Sequence, residues 1–90
     1  MPPLILDKEH VMDDYRPRPS DITWTRNLLA SLKNGGVWGI PECGVTLEKV
    51  DETTFKHIHS DPYFPPDHQE LMLNRIELNL KALGGRLIRL

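Results

Sequence analysis

The sequence has little cysteine and no long apolar run. Cys43 is the single cysteine among 90 residues, so no internal disulfide can form. Small domains from oxidising compartments usually contain several cysteines. The sequence also lacks an apolar run of about 18 residues, and no basic stretch near the N-terminus precedes a long apolar segment. These absences favour a cytoplasmic protein that does not use a membrane.

A strong excess of either charge is absent as well. The chain has 11 Lys and Arg against 13 Asp and Glu, a formal net charge of -2. Proteins that bind the phosphate backbone usually concentrate basic side chains on one face, whereas here they are spread along the chain. Nucleic acid is therefore not the expected partner. A hydrophobic content of 39% is typical of a small globular domain with one core.

Prolines divide the chain into an arm and a domain. Residues 1–19 contain four prolines, which fix φ and remove backbone donors, so this segment is predicted to be an extended N-terminal arm. Residues 20–90 are predicted to form a single domain. The apolar triplet from Leu4 to Leu6 could add an edge strand, dock on a partner or pack loosely on its own domain.

Two helices are predicted from their end signals and apolar periodicity. Ser20 is a suitable N-cap and Asn34 precedes two glycines, so the first helix is expected over residues 21–34. Trp24 falls with the leucines on its apolar side. The second helix is expected to begin at Pro66 or Asp67 and to end at Leu83.

Strand signals occupy the middle of the chain. Runs rich in β-branched residues, separated by turn residues, predict a three-stranded antiparallel meander. The three strands are expected at residues 37–40, 45–50 and 53–59, and residues 86–90 can form a last strand. The fold class is therefore α+β, with both helices expected on one face of the sheet.

The apolar residues exceed what one small core can bury. Phe55 and Ile58 have opposite parity on a strand, so both faces of the sheet carry apolar side chains unless a bulge intervenes. Leu71 and Leu78 lie nearly opposite the main apolar face of the second helix. These surpluses favour a protein partner or self-association. The predicted partner-binding residues share this surplus apolar character: Trp38, Ile40, Leu71 and Leu78.

The glycine-rich run from Gly35 to Pro41 lacks the spacing of a phosphate-binding loop and follows a helix rather than a strand. Gly35 and Gly36 are explained by helix termination. Gly39 is expected to mark a close backbone approach or a bulge. Alternatively, Gly39 leaves Trp38 exposed as an aromatic anchor for a partner.

Few residues are candidates for catalysis or metal binding. His57 and His59 are two positions apart on a strand and are expected to share one face, but no third ligand has a fixed position, so no metal or other cofactor is predicted. Cys43 lies in a turn with no histidine necessarily beside it, and an ordinary turn thiol is expected. No catalytic residue is assigned, and the protein is predicted not to be an enzyme.

Residues 24–44 resemble small uncharacterised proteins of tailed bacteriophages. The resemblance lies in the Trp-Thr-Arg-Asn-Leu-Leu run that begins at Trp24, followed by Leu32, the Gly-Gly-Val-Trp run ending at Trp38, Pro41 and Gly44. Glu42 and Cys43 depart from the basic residue and serine expected after that proline. The resemblance implies a phage accessory protein in a host cytoplasm, and it assigns no catalytic residue.

The leading hypothesis is a non-enzymatic protein-interaction module that self-associates or docks on a larger assembly. A nucleic-acid-associated accessory protein is the first alternative, with Trp24, Trp38 or Tyr63 stacking on bases and Arg86 and Arg89 contacting phosphates. A hydrolase or metal-dependent enzyme is the second, and it would use His57, His59 and Cys43.

Overall fold

A computed structural model describes residues 15–89. The apolar triplet from Leu4 to Leu6 and most of the N-terminal arm lie outside the described residues. The elements follow one another along the chain as α1 Pro19–Ser31, β1 Val37–Ile40, β2 Val45–Asp51, β3 Thr54–Ser60, α2 Pro66–Ala82 and β4 Arg86–Ile88. This order of two helices and four strands confirms the predicted α+β class.

The four strands form one sheet in the order β1-β2-β3-β4. The first three pair antiparallel, which confirms the predicted meander. The last strand is parallel to β3, with Leu87 opposite Phe55. Helix α2 lies between β3 and β4 in the chain and brings the chain back to the end of the sheet where β3 begins, which is the crossover that parallel pairing requires.

Both helices pack on the same face of the sheet. Alternate residues of β2 are buried from Val45 to Lys49, and this face meets Leu29 of α1 and Leu73 of α2. The core consists of buried apolar side chains from every element: Leu29, Ile40, Cys43, Val45, Leu47, Phe55, Leu73, Ile76, Leu80 and Leu87. Within residues 15–89, no helix is long and apolar enough to cross a membrane.

The first helix differs from its predicted bounds at both ends. It begins at Pro19, which suits the first helical position, so Ser20 is inside the helix rather than its cap. It ends at Ser31, three residues earlier than the predicted end. At this end of the helix, the buried Lys49 side chain of β2 donates hydrogen bonds to the carbonyl oxygens of Leu29 and Leu32.

A β-bulge in β3 changes which side chains face the core. Leu47 pairs with His57 but Thr46 pairs with His59, so Ile58 is an extra residue between them. His57 therefore lies on the buried face and His59 on the exposed face. The prediction that the two histidines share one face is wrong, because it assumed a regular strand.

The explanation given for Gly39 is also wrong. A Cβ atom built on this glycine would meet no atom of residues 15–89 within 4 Å. Its partner across the strands is Thr46, and the pairing of β1 with β2 is regular at this position. Neither a close approach nor a bulge therefore requires glycine there.

Candidate functional site

A cleft of about 630 Å³ lies where both helices approach strand β1. Its lining is formed by side chains of α1, α2, β1, the β1–β2 turn and the segment before α1. The apolar and aromatic members of this lining are Tyr15, Trp24, Trp38, Ile40, Pro41, Met72 and Ile76. We call this feature the aromatic cleft. Its volume is within the range of clefts that bind ligands.

Two tryptophans form one side of the aromatic cleft. The ring centroids of Trp24 and Trp38 are 5.5 Å apart and their planes are inclined by 60°. Trp38 also contacts the buried Phe55, with centroids 5.8 Å apart. Trp38 is thus half-buried and connected to the core, whereas Trp24 is 54% exposed. The core therefore holds the inner indole and leaves the outer one accessible.

Tyr15 forms a second wall through contacts with α2. Its hydroxyl donates a hydrogen bond to Oδ1 of Asn79 at 2.8 Å. The guanidinium carbon of Arg75 is 5.1 Å from the centroid of the Tyr15 ring, a cation–π arrangement. Burial, followed by a hydrogen bond with Asp21, raises the pKa of Tyr15, so the phenol is neutral at physiological pH.

Charged groups surround the apolar lining. The backbone N–H and Nε of Arg18 both donate to Oδ2 of Asp21, at 3.0 and 3.1 Å. These hydrogen bonds hold the pKa of Asp21 below its ordinary value. Glu42, in the β1–β2 turn, is exposed and forms no ion pair within the described part of the chain. Arg18 therefore compensates the negative charge of Asp21, whereas the charge of Glu42 is not compensated by an ion pair among these residues.

The four predicted partner-binding residues do not form one surface. Trp38 and Ile40 both line the aromatic cleft, but Ile40 is only 5% exposed and belongs to the core. Leu71 and Leu78 do not line the cleft. Leu71 is half-buried and Leu78 is 37% exposed, on the side of α2 away from its buried residues. Exposure of Ile40 was predicted wrongly because its strand position places it among the inward-facing side chains.

Trp24 is the main cleft residue that the apolar pattern assigned incorrectly, since that pattern placed it toward the core. The buried residues of α1 are Thr25 and Leu29. The Thr25 hydroxyl donates to the carbonyl oxygen of Asp21 at 2.8 Å, which satisfies it in a buried position. The buried face is therefore centred about 120° from Trp24. The position of Trp24 at the edge of the apolar stripe was the available signal.

The groups of the alternative enzyme hypothesis are not assembled into a site. Cys43 is fully buried, and burial raises the pKa of its thiol, the reverse of what a nucleophile needs. His57 Nε2 lies 2.6 Å from Ser60 Oγ, and burial lowers the pKa of this imidazole. His59 is on the other face of the sheet. Among residues 15–89, no three His, Cys, Asp or Glu side chains are arranged to hold a metal ion.

No protein-family model, curated protein or solved structure matches the chain. The resemblance of residues 24–44 to tailed-bacteriophage proteins therefore stays a prediction. The functional proposal rests on the geometry and chemistry of the aromatic cleft.

Proposed function

We propose that the protein is a small non-enzymatic interaction module whose aromatic cleft binds a segment of a partner protein. The observation that carries this proposal is the half-exposed Trp24 beside the anchored Trp38. Tryptophan is among the residues that contribute most to binding at protein interfaces. Trp24 packs against Trp38, which contacts the core, and an indole restrained in this way loses less conformational entropy when a partner covers it.

The energy available from covering Trp24 is substantial. An aromatic side chain of this kind buries roughly 150–250 Å² when covered. About half of the Trp24 surface remains open, so its burial by a partner contributes roughly 2–3 kcal/mol at about 25 cal/mol per Å². A contribution of this size is typical of an interface hot spot.

A protein partner fits the charges better than a nucleic acid does. Arg89, which the alternative assigned to phosphate binding, donates to carboxylate oxygens of Glu70 at 2.6 Å and Glu77 at 3.2 Å. The aromatic cleft also carries the carboxylates of Asp21 and Glu42. Because Arg18 and Arg75 line the same cleft, these acids leave its lining with no excess of positive charge to attract a phosphate backbone.

The resemblance to phage proteins adds a biological setting to this proposal. In that setting the partner is a phage or host protein in the cytoplasm of an infected cell.

A peptide library tests the proposal without assuming the partner. A displayed library of random linear peptides would be selected on the parent protein, and the enriched peptides would be measured on Trp24→Ala and Tyr63→Ala. Tyr63 is a matched aromatic control, because it is 93% exposed and does not line the cleft. We expect enriched peptides whose affinity falls about tenfold or more in Trp24→Ala and is unchanged in Tyr63→Ala.

Two results would contradict the proposal. One is a selection that yields no peptide dependent on Trp24. The other is Trp24-dependent binding of a single-stranded oligonucleotide in place of peptides, which would support the nucleic-acid alternative.

A further inference from the structure

We propose that the segment bound by the aromatic cleft is an extended, proline-containing peptide with a basic residue beside Glu42. This inference rests on the proposed function and specifies the chemistry of its partner. Three features of the cleft carry it: its aromatic surfaces, two indole N–H groups that make no hydrogen bond among residues 15–89, and the carboxylate of Glu42, which has no ion pair among the same residues.

The aromatic surfaces suit proline rings. Tyr15, Trp24 and Trp38 all line the cleft, and Met72 adds an apolar contact between the helices. Aromatic-lined grooves are the usual receptors for polyproline II segments, which are already ordered before binding. Because proline has few conformations to lose, such a segment binds with a smaller entropic cost than a flexible apolar peptide.

The two indole N–H groups of the cleft match a peptide backbone that offers carbonyl acceptors but few N–H donors. Neither the Trp24 nor the Trp38 indole N–H donates a hydrogen bond to another group in the described part of the chain. A polyproline II segment makes no internal hydrogen bonds and loses an N–H at every proline, so it presents mainly carbonyl oxygens. The two indole donors can pair with those carbonyls.

The carboxylate of Glu42 favours a basic residue beside the prolines of the peptide. Arg18 neutralises Asp21, and the Arg75 guanidinium stacks over Tyr15. Glu42 is exposed in the β1–β2 turn without an ion pair among residues 15–89. A lysine or arginine in the peptide would complement this carboxylate and set the direction of the bound segment.

The peptides enriched in the selection described above test the inference first by their sequences. We expect two prolines separated by two residues, with Lys or Arg next to them. A synthetic peptide of this kind would then be titrated into isotope-labelled protein, with both indole N–H signals expected to shift. Replacing the two prolines by alanine should weaken binding about tenfold, a comparison that leaves the protein unchanged.

The role of the basic residue is tested by combining a substitution at Glu42 of the protein with a substitution at the basic position of the peptide. Glu42→Gln should weaken binding of the basic peptide roughly threefold to tenfold and leave a peptide with alanine at that position unaffected. Glu52→Gln is the control, since Glu52 is exposed in the next turn and does not line the cleft. Equal losses in both variants would overturn the assignment of Glu42.

The failures of the two proposals are distinguishable. Trp24-dependent peptides that lack proline, or that bind as amphipathic helices, overturn the inference and leave the interaction module supported. Absence of any Trp24-dependent peptide overturns both. Indole N–H signals that do not shift on saturation with a proline-containing peptide also overturn the inference.

Discussion

The Lys49 ammonium group donates a hydrogen bond to the backbone carbonyl oxygen of Leu29 at 2.7 Å, across 20 residues of sequence. The same group donates to Leu32 at 2.7 Å, and Lys49 is only 3% exposed. The last carbonyls of a helix carry partial negative charge and have no partner within the helix. A buried lysine from β2 therefore caps α1 and attaches it to the centre of the sheet.

Replacing this lysine should destabilise the protein. Lys49→Met keeps an unbranched apolar stem but leaves the two carbonyl oxygens without their donor, so the free energy of unfolding should fall by about 1–3 kcal/mol. Urea denaturation measures the change. Lys56→Met is the control, because Lys56 is exposed on the opposite face of the sheet, and it should change stability by less than about 0.5 kcal/mol. Equal stability of Lys49→Met and the parent would mean that burying the ammonium costs as much as its hydrogen bonds contribute.

His57 should make the free energy of unfolding decrease as the pH falls into the acidic range. Burial lowers its pKa, while Glu70 and Arg89 act on it with opposite sign. The imidazole thus binds a proton less readily in the folded state than in the unfolded state, where its pKa is about 6.5. Its contribution is complete above that value and is lost as the pH falls through the lowered folded pKa.

Urea unfolding at about pH 7.5 and about pH 5 tests this dependence, since the interval spans the ordinary histidine pKa. The loss of stability on acidification should be smaller in His57→Gln than in the parent. His59→Gln provides the matched control on the exposed face of the same strand. An identical loss in the parent and in His57→Gln would contradict the prediction.

Replacing glycine by alanine should have opposite effects on stability at Gly85 and at Gly39. At Gly85 an added Cβ would overlap the backbone carbonyl oxygen of Thr53, so Gly85→Ala should destabilise the β3–β4 end of the sheet by about 1–3 kcal/mol. At Gly39 the added Cβ meets open space, so Gly39→Ala should stabilise the protein by roughly 0.4–1 kcal/mol. Thermal unfolding of the two variants measures the contrast. A loss of stability in Gly39→Ala would show that strand β1 needs glycine for a reason outside the described residues.

Leu71 and Leu78 provide a test of self-association that is separate from the aromatic cleft. Leu78 is exposed and Leu71 half-buried on the outer side of α2, so changing both to glutamine should leave the fold intact. If these leucines form an interface, the parent should sediment as an oligomer and the double variant as a monomer. A monomeric parent, or a double variant that unfolds, would remove the outer side of α2 from the candidate interfaces.

Local signals in the sequence predicted the type and order of the helices and strands, but not the bounds of α1. The antiparallel meander and helix α2 follow from residue propensity, periodicity and turn residues, all of which act between neighbours in the chain. Even the end of α2 at Ala82 was predictable, since Gly84 takes a left-handed conformation just after it. Of the residues that line the aromatic cleft, the sequence analysis predicted Trp38 and Ile40 to bind a partner.

Contacts between distant residues decided the rest. The end of α1 is capped by Lys49, which strand periodicity describes only as an inward position. The separation of His57 from His59 depends on a bulge that appears only when β3 is paired with β2. Tyr15 reaches Asn79 across 64 residues, and the exposure of Trp24 depends on how α1 is rotated against the sheet. The amino-acid sequence by itself determined which side chains are apolar. The packing of the helices on the sheet decided which of those side chains remain exposed to a partner.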